Sequence, residues 1–275
     1  MAAQGKPVTG TVTSRDGTPI AFETSGEGPA VVLVASALAD RRDTRKLATL
    51  LSDRHTVVNY DRRGRGDSGD HDHHAVEREI DDLAALVKHV GGSAALFGSS
   101  SGAVLALRAA GAGIGVTKLA VYEPPFVVRP DSGFGPPPGF ADRLTALLDS
   151  GDRAGAVRAF MTEAQGMPSA MVTMMRLIPG VWSTLTGLAH TLPYDLAVMG
   201  DTQQGAPLRA GDWASVTCPT LVLTGGKSPA GFHDAARALA AVLPDAEHRT
   251  LPKLNHGAVM QAPGKLAGPL TEFLR

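Results

Sequence analysis

Short runs of uninterrupted apolar residues recur along this chain, and stretches of helical period lie between them. Ala30-Val31-Val32-Leu33-Val34-Ala35 is the clearest such run. A strand with one face in water alternates apolar and polar residues, so an unbroken run belongs to a strand covered on both faces. His55 to Tyr60, Ala94 to Phe97, Lys118 to Tyr122 and Thr220 to Thr224 read the same way. Helical patterns fill Arg41 to Leu51, Val76 to Val90, Val104 to Ala110 and Phe232 to Val242. Alternation of this kind predicts an α/β fold with a mostly parallel sheet flanked by helices. Before it, Thr9 to Ser14 and Pro19 to Thr24 alternate around Asp16-Gly17, which predicts an opening hairpin.

One segment breaks the rhythm. Residues 126–216 contain no buried strand run, only amphipathic helical stretches between Pro136-Pro137-Pro138-Gly139 and Gly205-Ala206-Pro207. The expectation is an inserted helical cap, residues 126–216, between two parts of one core, 1–125 and 217–275. A chain of 275 residues buries roughly three-quarters of its unfolded surface and needs no staples. Its hydrophobic content of 43 % and charged content of 19 % are an ordinary soluble balance. The formal net charge of -1, with both signs mixed along the chain, offers nothing to attract nucleic acid or an acidic membrane. Cys218 is the single cysteine, so an internal disulfide is excluded. Met1 to Gly10 lacks the apolar run of a secretion signal, and no stretch approaches the ~20 apolar residues of a membrane span. A cytoplasmic protein is expected.

The chemistry centres on Gly98-Ser99-Ser100-Ser101-Gly102, between the apolar run ending at Phe97 and the helical run starting at Ala103. A serine on a tight strand-to-helix turn is held strained, with its hydroxyl exposed and the positive end of the helix behind it. Glycines at 98 and 102 fit such a turn because side chains there would strike the neighbouring strand or helix. The bland alternative, a Ser/Gly-rich turn, is common in α/β proteins, but the flanking strand and helix favour Ser100 as a nucleophile. A serine needs a base. His256, in Leu254-Asn255-His256-Gly257 after the short run His248 to Leu251, is the candidate among nine histidines, since imidazole takes and returns a proton near neutral pH.

With these residues in place, the chain resembles the α/β-hydrolase fold superfamily over almost its whole length. It is most similar to small bacterial members carrying Tyr60-Asp61-Arg62-Arg63-Gly64-Arg65-Gly66-Asp67-Ser68 and Tyr122-Glu123-Pro124-Pro125-Phe126. The order of serine first and histidine near the C-terminus agrees with that family. The resemblance implies an acid as third partner, usually an Asp shortly after the strand represented by Leu221 to Thr224. This chain has Gly225-Gly226-Lys227-Ser228-Pro229 there, and the next carboxylate is Asp234. Some relatives, certain haloalkane dehalogenases among them, use a carboxylate after the preceding strand, a place that Glu123 matches. Glu123 is the favoured candidate, with Asp234 or no acid at all as the alternatives; the bland reading of Glu123 is a strand-end carboxylate that orders the Pro124-Pro125 turn. The resemblance also implies an oxyanion hole formed by the backbone N–H of Ser101 and, by alignment of strand ends, of Ala37. Many relatives carry His-Gly where this chain has Ala35-Ser36-Ala37-Leu38.

Other motifs carry no function. Gly64-x-Gly66-x-x-Gly69 spells a dinucleotide fingerprint, yet Asp70-His71-Asp72-His73-His74 follows it instead of a helix start. Gly226-Lys227-Ser228 lacks the first glycine of a phosphate loop, and Arg65-Gly66-Asp67 is a chance triplet. The histidines at 71, 73 and 74 read as a solvated loop rather than a metal site. Met161, Met167, Met171, Met174, Met175, Met199, Trp182 and Trp213 either line an adaptable apolar pocket or fill the helical segment's own core.

The expected function is cofactor-free and metal-free: a serine hydrolase, esterase-like, acting on a small to medium apolar molecule through Ser100, His256 and Glu123. The alternatives are a non-hydrolytic enzyme on the same fold (an epimerase, cyclase or lyase) and a ligand-binding protein with a vestigial triad. Fold alone does not choose among them.

Overall fold

Among the described residues, 6–275 in this computed structural model, eight strands form one sheet in the order β1-β2-β4-β3-β5-β6-β7-β8. They are β1 (Val8–Thr13), β2 (Pro19–Ser25), β3 (Ala30–Val34), β4 (Thr56–Tyr60), β5 (Ala94–Ser99), β6 (Val116–Tyr122), β7 (Thr220–Gly225) and β8 (Ala246–Leu251). The predicted hairpin is present: β1 pairs antiparallel with β2, with Val8 opposite Thr24, and Gly17 turns at φ +88°. β2 pairs antiparallel with β4, and every later pairing is parallel. β3 has β4 on one side and β5 on the other. The chain therefore reverses its direction of winding between β3 and β5, and a crevice opens beyond their C-terminal ends.

The helices are α1 (Arg41–Leu51), α2 (Val76–His89), α3 (Ser101–Gly111), α4 (Phe140–Asp149), α5 (Arg153–Ala159), α6 (Ser169–Met175), α7 (Val181–Leu188), α8 (Leu192–Met199), α9 (Ala210–Trp213), α10 (Ala230–Val242), α11 (Ala258–Gln261) and α12 (Pro263–Leu274). Side chains alternate across a strand, and both faces of the central strands are covered. Val32 and Val34 of β3 join one core with α2, α3 and α10, while Val31 and Leu33 join another with α1, α11 and α12. In the same way Leu96 and Phe97, or Val121 and Tyr122, divide between the two. This is the physical basis of the unbroken apolar runs.

Between β6 and β7 lie α4 to α9 and a single π-helical turn, Phe160–Ala164. The segment has its own apolar cluster around Phe140, Leu144, Phe160, Met161 and Leu192. Its later part belongs to the sheet instead: Val198, Met199, Trp213 and Val216 pack into the α2–α3–α10 core. The methionines thus divide. Met161 is buried, Met167 and Met175 pack against the segment's cluster, and Met171 and Met174 are exposed.

Two boundaries differ from the sequence pattern. β5 runs on to Ser99 and α3 begins at Ser101, so the turn between them is shorter than the pattern implies. Helix α12 is not announced by propensity, because Gly264, Gly268 and Pro269 all disfavour it. Packing overrides propensity: Leu266, Leu270 and Leu274 are buried in the core shared with α1.

Candidate active site

Ser100 occupies the turn between β5 and α3 with φ 52° and ψ -124°, a left-handed conformation that non-glycine residues rarely adopt. Close approach of backbone on both sides holds it there. A Cβ on Gly98 would collide with the carbonyl of Gly102, and one on Gly102 with the carbonyls of Val34 and Ala35. The Ser100 N–H donates to the Tyr122 carbonyl at 2.9 Å, which ties the turn to the end of β6. Ser101 opens α3, so its N–H lies in the helix's first turn, where no carbonyl stands one turn back to receive it.

Glu123 follows β6 and also has φ 52°. Its side chain is fully buried. A buried carboxylate needs partners for both oxygens, and both are used. Oε1 accepts from the Gly225 N–H at 2.6 Å, and Oε2 stands 2.8 Å from His256 Nδ1. With Nδ1–H donated to the carboxylate, Nε2 is left as an acceptor, and it lies 3.2 Å from Ser100 Oγ. The structure thus brings Ser100, His256 and Glu123 together from the ends of β5, β8 and β6.

Asp234 does not join them. It is on α10, bonded to Arg129 at 2.6 Å and to Arg237 at 2.5 Å, so the alternative of Asp234 as the acid is corrected. The Gly225 to Pro229 segment is a turn paired with the histidine loop: Gly226 N–H donates to Leu251 and Lys227 N–H to Leu254.

Several supporting groups were invisible to residue patterns. Tyr122 donates its hydroxyl to the Asn255 carbonyl at 2.7 Å, bracing the residue before His256. Burial, reinforced by the charge of Glu123, raises the Tyr122 hydroxyl pKa well above its ordinary value, so it stays a donor. Phe232 stacks on the His256 ring at 4.4 Å, and Phe134 packs edge-on against Phe232 at 4.6 Å. Nothing in their spacing marks these residues, since each acts through a contact between distant segments.

Ala37 lies in the turn just beyond β3, half-buried, followed by Leu38 at φ 53°. Both pack against the apolar cluster of the α4–α8 segment. Beneath this turn lie the arginines of the 60–68 loop. Arg62, Arg63 and Arg65 are buried and ion-paired, Arg63 with Asp82 and Asp16, the other two with Asp195 of α8. The Gly64 to Gly69 tract therefore belongs to a packed structural loop. His74 contacts Glu79 at 3.0 Å and stacks on Tyr194. Among the described residues no group of three or more His, Cys, Asp or Glu is placed to hold a metal ion, and no helix is long and apolar enough to cross a membrane.

A family model described as "Alpha/beta hydrolase family" matches residues 31–268. A crystal structure of an alpha/beta hydrolase from Sphaerobacter thermophilus is 49 % identical, with TM-score 0.89, covering 97 % of this chain and 100 % of that one. A thermophilic esterase from Thermogutta terrifontis shares the fold at TM-score 0.71 and 23 % identity, over 98 % of each chain. An enol-lactonase from Burkholderia xenovorans does so at TM-score 0.72 and 20 % identity, over 96 % of this chain and 99 % of that one. No curated protein matches the chain.

Proposed function

The chain belongs to the alpha/beta hydrolase family, and from that premise we propose that it is a serine hydrolase cleaving carboxylic esters of small to medium apolar molecules. The observation that carries this reading is the connected set Ser100 Oγ–His256 Nε2 (3.2 Å) and His256 Nδ1–Glu123 Oε2 (2.8 Å). In the proposed reaction Ser100 Oγ attacks the ester carbonyl while His256 Nε2 takes its proton. Glu123 fixes the tautomer and stabilises the imidazolium that forms. The N–H groups of Ser101 and Ala37 receive the negative charge developing on the carbonyl oxygen. His256 returns the proton to the leaving alcohol, and water then releases the acyl group by the same steps in reverse order. No cofactor or metal is required by this scheme.

The apolar substrate class is supported by the surroundings of Ala37 and Leu38, which pack with Phe140, Phe160, Met161 and Trp182 of the helical segment. On that basis we read residues 140–196 of the 126–216 segment as a cap, its later part from Val198 to Val216 packing with the sheet core. Glu123, held by Gly225 N–H and facing His256 Nδ1, supplies an acid for the triad, which favours hydrolysis over the epimerase, cyclase or lyase alternative. A fluorophosphonate should label the wild-type protein and turnover of an aryl ester should follow. Ser100→Ala should abolish the label, while Ser99→Ala should retain it. A label that persisted in Ser100→Ala and disappeared in Ser99→Ala would reject the assignment.

A further inference from the structure

Four charged side chains lie behind the two backbone amides assigned to the oxyanion hole. Arg62, Arg65, Glu79 and Asp195 are each at most 2 % exposed. Arg62 is bonded twice to Glu79, at 2.7 and 2.9 Å, and once to Asp195 Oδ1 at 2.7 Å. Arg65 Nη2 donates to Asp195 Oδ2 at 2.8 Å. Two positive and two negative groups balance, which is what permits the burial. Burial of this kind nevertheless gains little stability over an apolar filling of the same volume. The remaining donors of the two guanidiniums meet backbone carbonyls and one hydroxyl.

Those donors converge on two places. Arg62 Nη1 also points at the Ala35 carbonyl, at 3.3 Å, and at Ser101 Oγ, at 3.4 Å. Arg65 Nη1 donates to the Ser36 carbonyl at 2.6 Å and the Ala39 carbonyl at 3.3 Å. These carbonyls bracket Ala37 and the left-handed Leu38. Strain of that kind persists only where surrounding bonds over-determine it. On the other side, Ser101 Oγ donates to Asp195 Oδ1 at 2.7 Å. Asp195 comes from α8, between β6 and β7, 94 residues beyond Ser101 and 130 beyond Arg65.

We infer that Asp195 is a positioning residue that sets both halves of the oxyanion hole: the Ala37 side through Arg62 and Arg65, and the Ser101 side directly. The hole is then complete only while α8 is docked, so the helical segment acts on the rate of the chemical step as well as on substrate fit. This rests on the Ser100–His256–Glu123 reading for its catalytic consequence, but not for its structural one.

The test uses Asp195→Asn, which leaves two guanidiniums facing one carboxylate. Amide hydrogen exchange across residues 35–39 should accelerate at least about tenfold while β6 amides keep wild-type protection. On an aryl ester, kcat should fall roughly ten- to a hundredfold with KM changed little, since oxyanion donors act mainly in the transition state. Affinity for a trifluoromethyl ketone, whose adduct places an oxyanion in the hole, should weaken by a similar factor. A purely structural role would lower the melting temperature and leave both the exchange at 35–39 and the kcat of the folded fraction unchanged. If Asp195→Asn does not fold, Ser101→Ala keeps all charges and removes only the hydroxyl link. It should lower kcat about tenfold at constant KM, and a wild-type kcat would overturn the inference. Accelerated exchange at 35–39 in a protein whose wild type hydrolyses no ester would uphold the coupling and reject the hydrolytic reading. Unchanged exchange beside normal wild-type turnover would do the reverse.

Discussion

Gly225 donates its backbone N–H to Oε1 of Glu123 at 2.6 Å, joining the C-terminal ends of β6 and β7. The glycine stands where a family acid would be expected to follow, and it serves instead the carboxylate of the neighbouring strand. One oxygen of Glu123 is thereby anchored, and the other is free to hold His256.

Glu123→Gln should preserve the fold, because the amide carbonyl can keep the Gly225 bond. The amide nitrogen would then face His256 Nδ1 and favour the tautomer that carries its proton on Nε2, the wrong nitrogen for accepting from Ser100. A comparable change in serine proteases costs about 10⁴-fold, and we expect at least a tenfold loss in kcat for ester hydrolysis. Asp234→Asn, which touches only exposed arginines, should stay near the wild-type rate. Equal rates for Glu123→Gln and wild type would remove Glu123 from the site.

Gly225→Ala tests the same corner by volume. The new Cβ would press on the Leu254 carbonyl and the Tyr122 hydroxyl, both of which support the His256 loop. Overpacking of this size costs about 1–3 kcal/mol. Urea unfolding should show that loss, together with a fall in kcat. A fully stable, fully active variant would mean that the loop has room the structure does not show.

Under the proposed function, the apolar cluster against Ala37 and Leu38 predicts a substrate preference. In a series of p-nitrophenyl esters, apolar acyl chains should be turned over faster than short charged ones. Flat rates across the series would separate the helical segment from the acyl pocket.

Acid stability should depend on Glu79. Burial alone would raise its pKa, but the charge of Arg62, with His74 and Arg65, holds it well below the ordinary carboxylate range. A depressed folded-state pKa contributes stability that is present above the unfolded value, about 4.3, and is lost as pH falls below it. Glu79→Gln should therefore be less stable at pH 7, by about 3–5 kcal/mol for a broken buried pair. The gap should narrow as the pH drops toward 3. Urea midpoints at the two pH values measure this, and a gap that widened in acid would contradict it.

Much of the fold was legible from period and punctuation. The strands from β3 to β7 and helices α1, α2 and α10 lie within two residues of their apolar patterns, because burial on a strand or helix face leaves a local signature. Ser100 was legible for the same reason: glycines two residues to either side and a strand-to-helix change are all local. His256 needed the chain order of a family, since a single histidine in a loop has no pattern of its own.

What the tertiary structure decided was everything that depends on distant segments meeting. The choice of Glu123 over Asp234 rests on β6 lying between β5 and β7. The links Tyr122–Asn255 and Ser101–Asp195 span 133 and 94 residues. Helix α12 exists despite its glycines and proline because α1 offers an apolar face. Sequence determines the period of each element, since that is set by the local backbone. Which polar groups meet at the element ends is determined only when the sheet order closes, because a hydrogen bond depends on position in space and leaves no periodic trace along the chain.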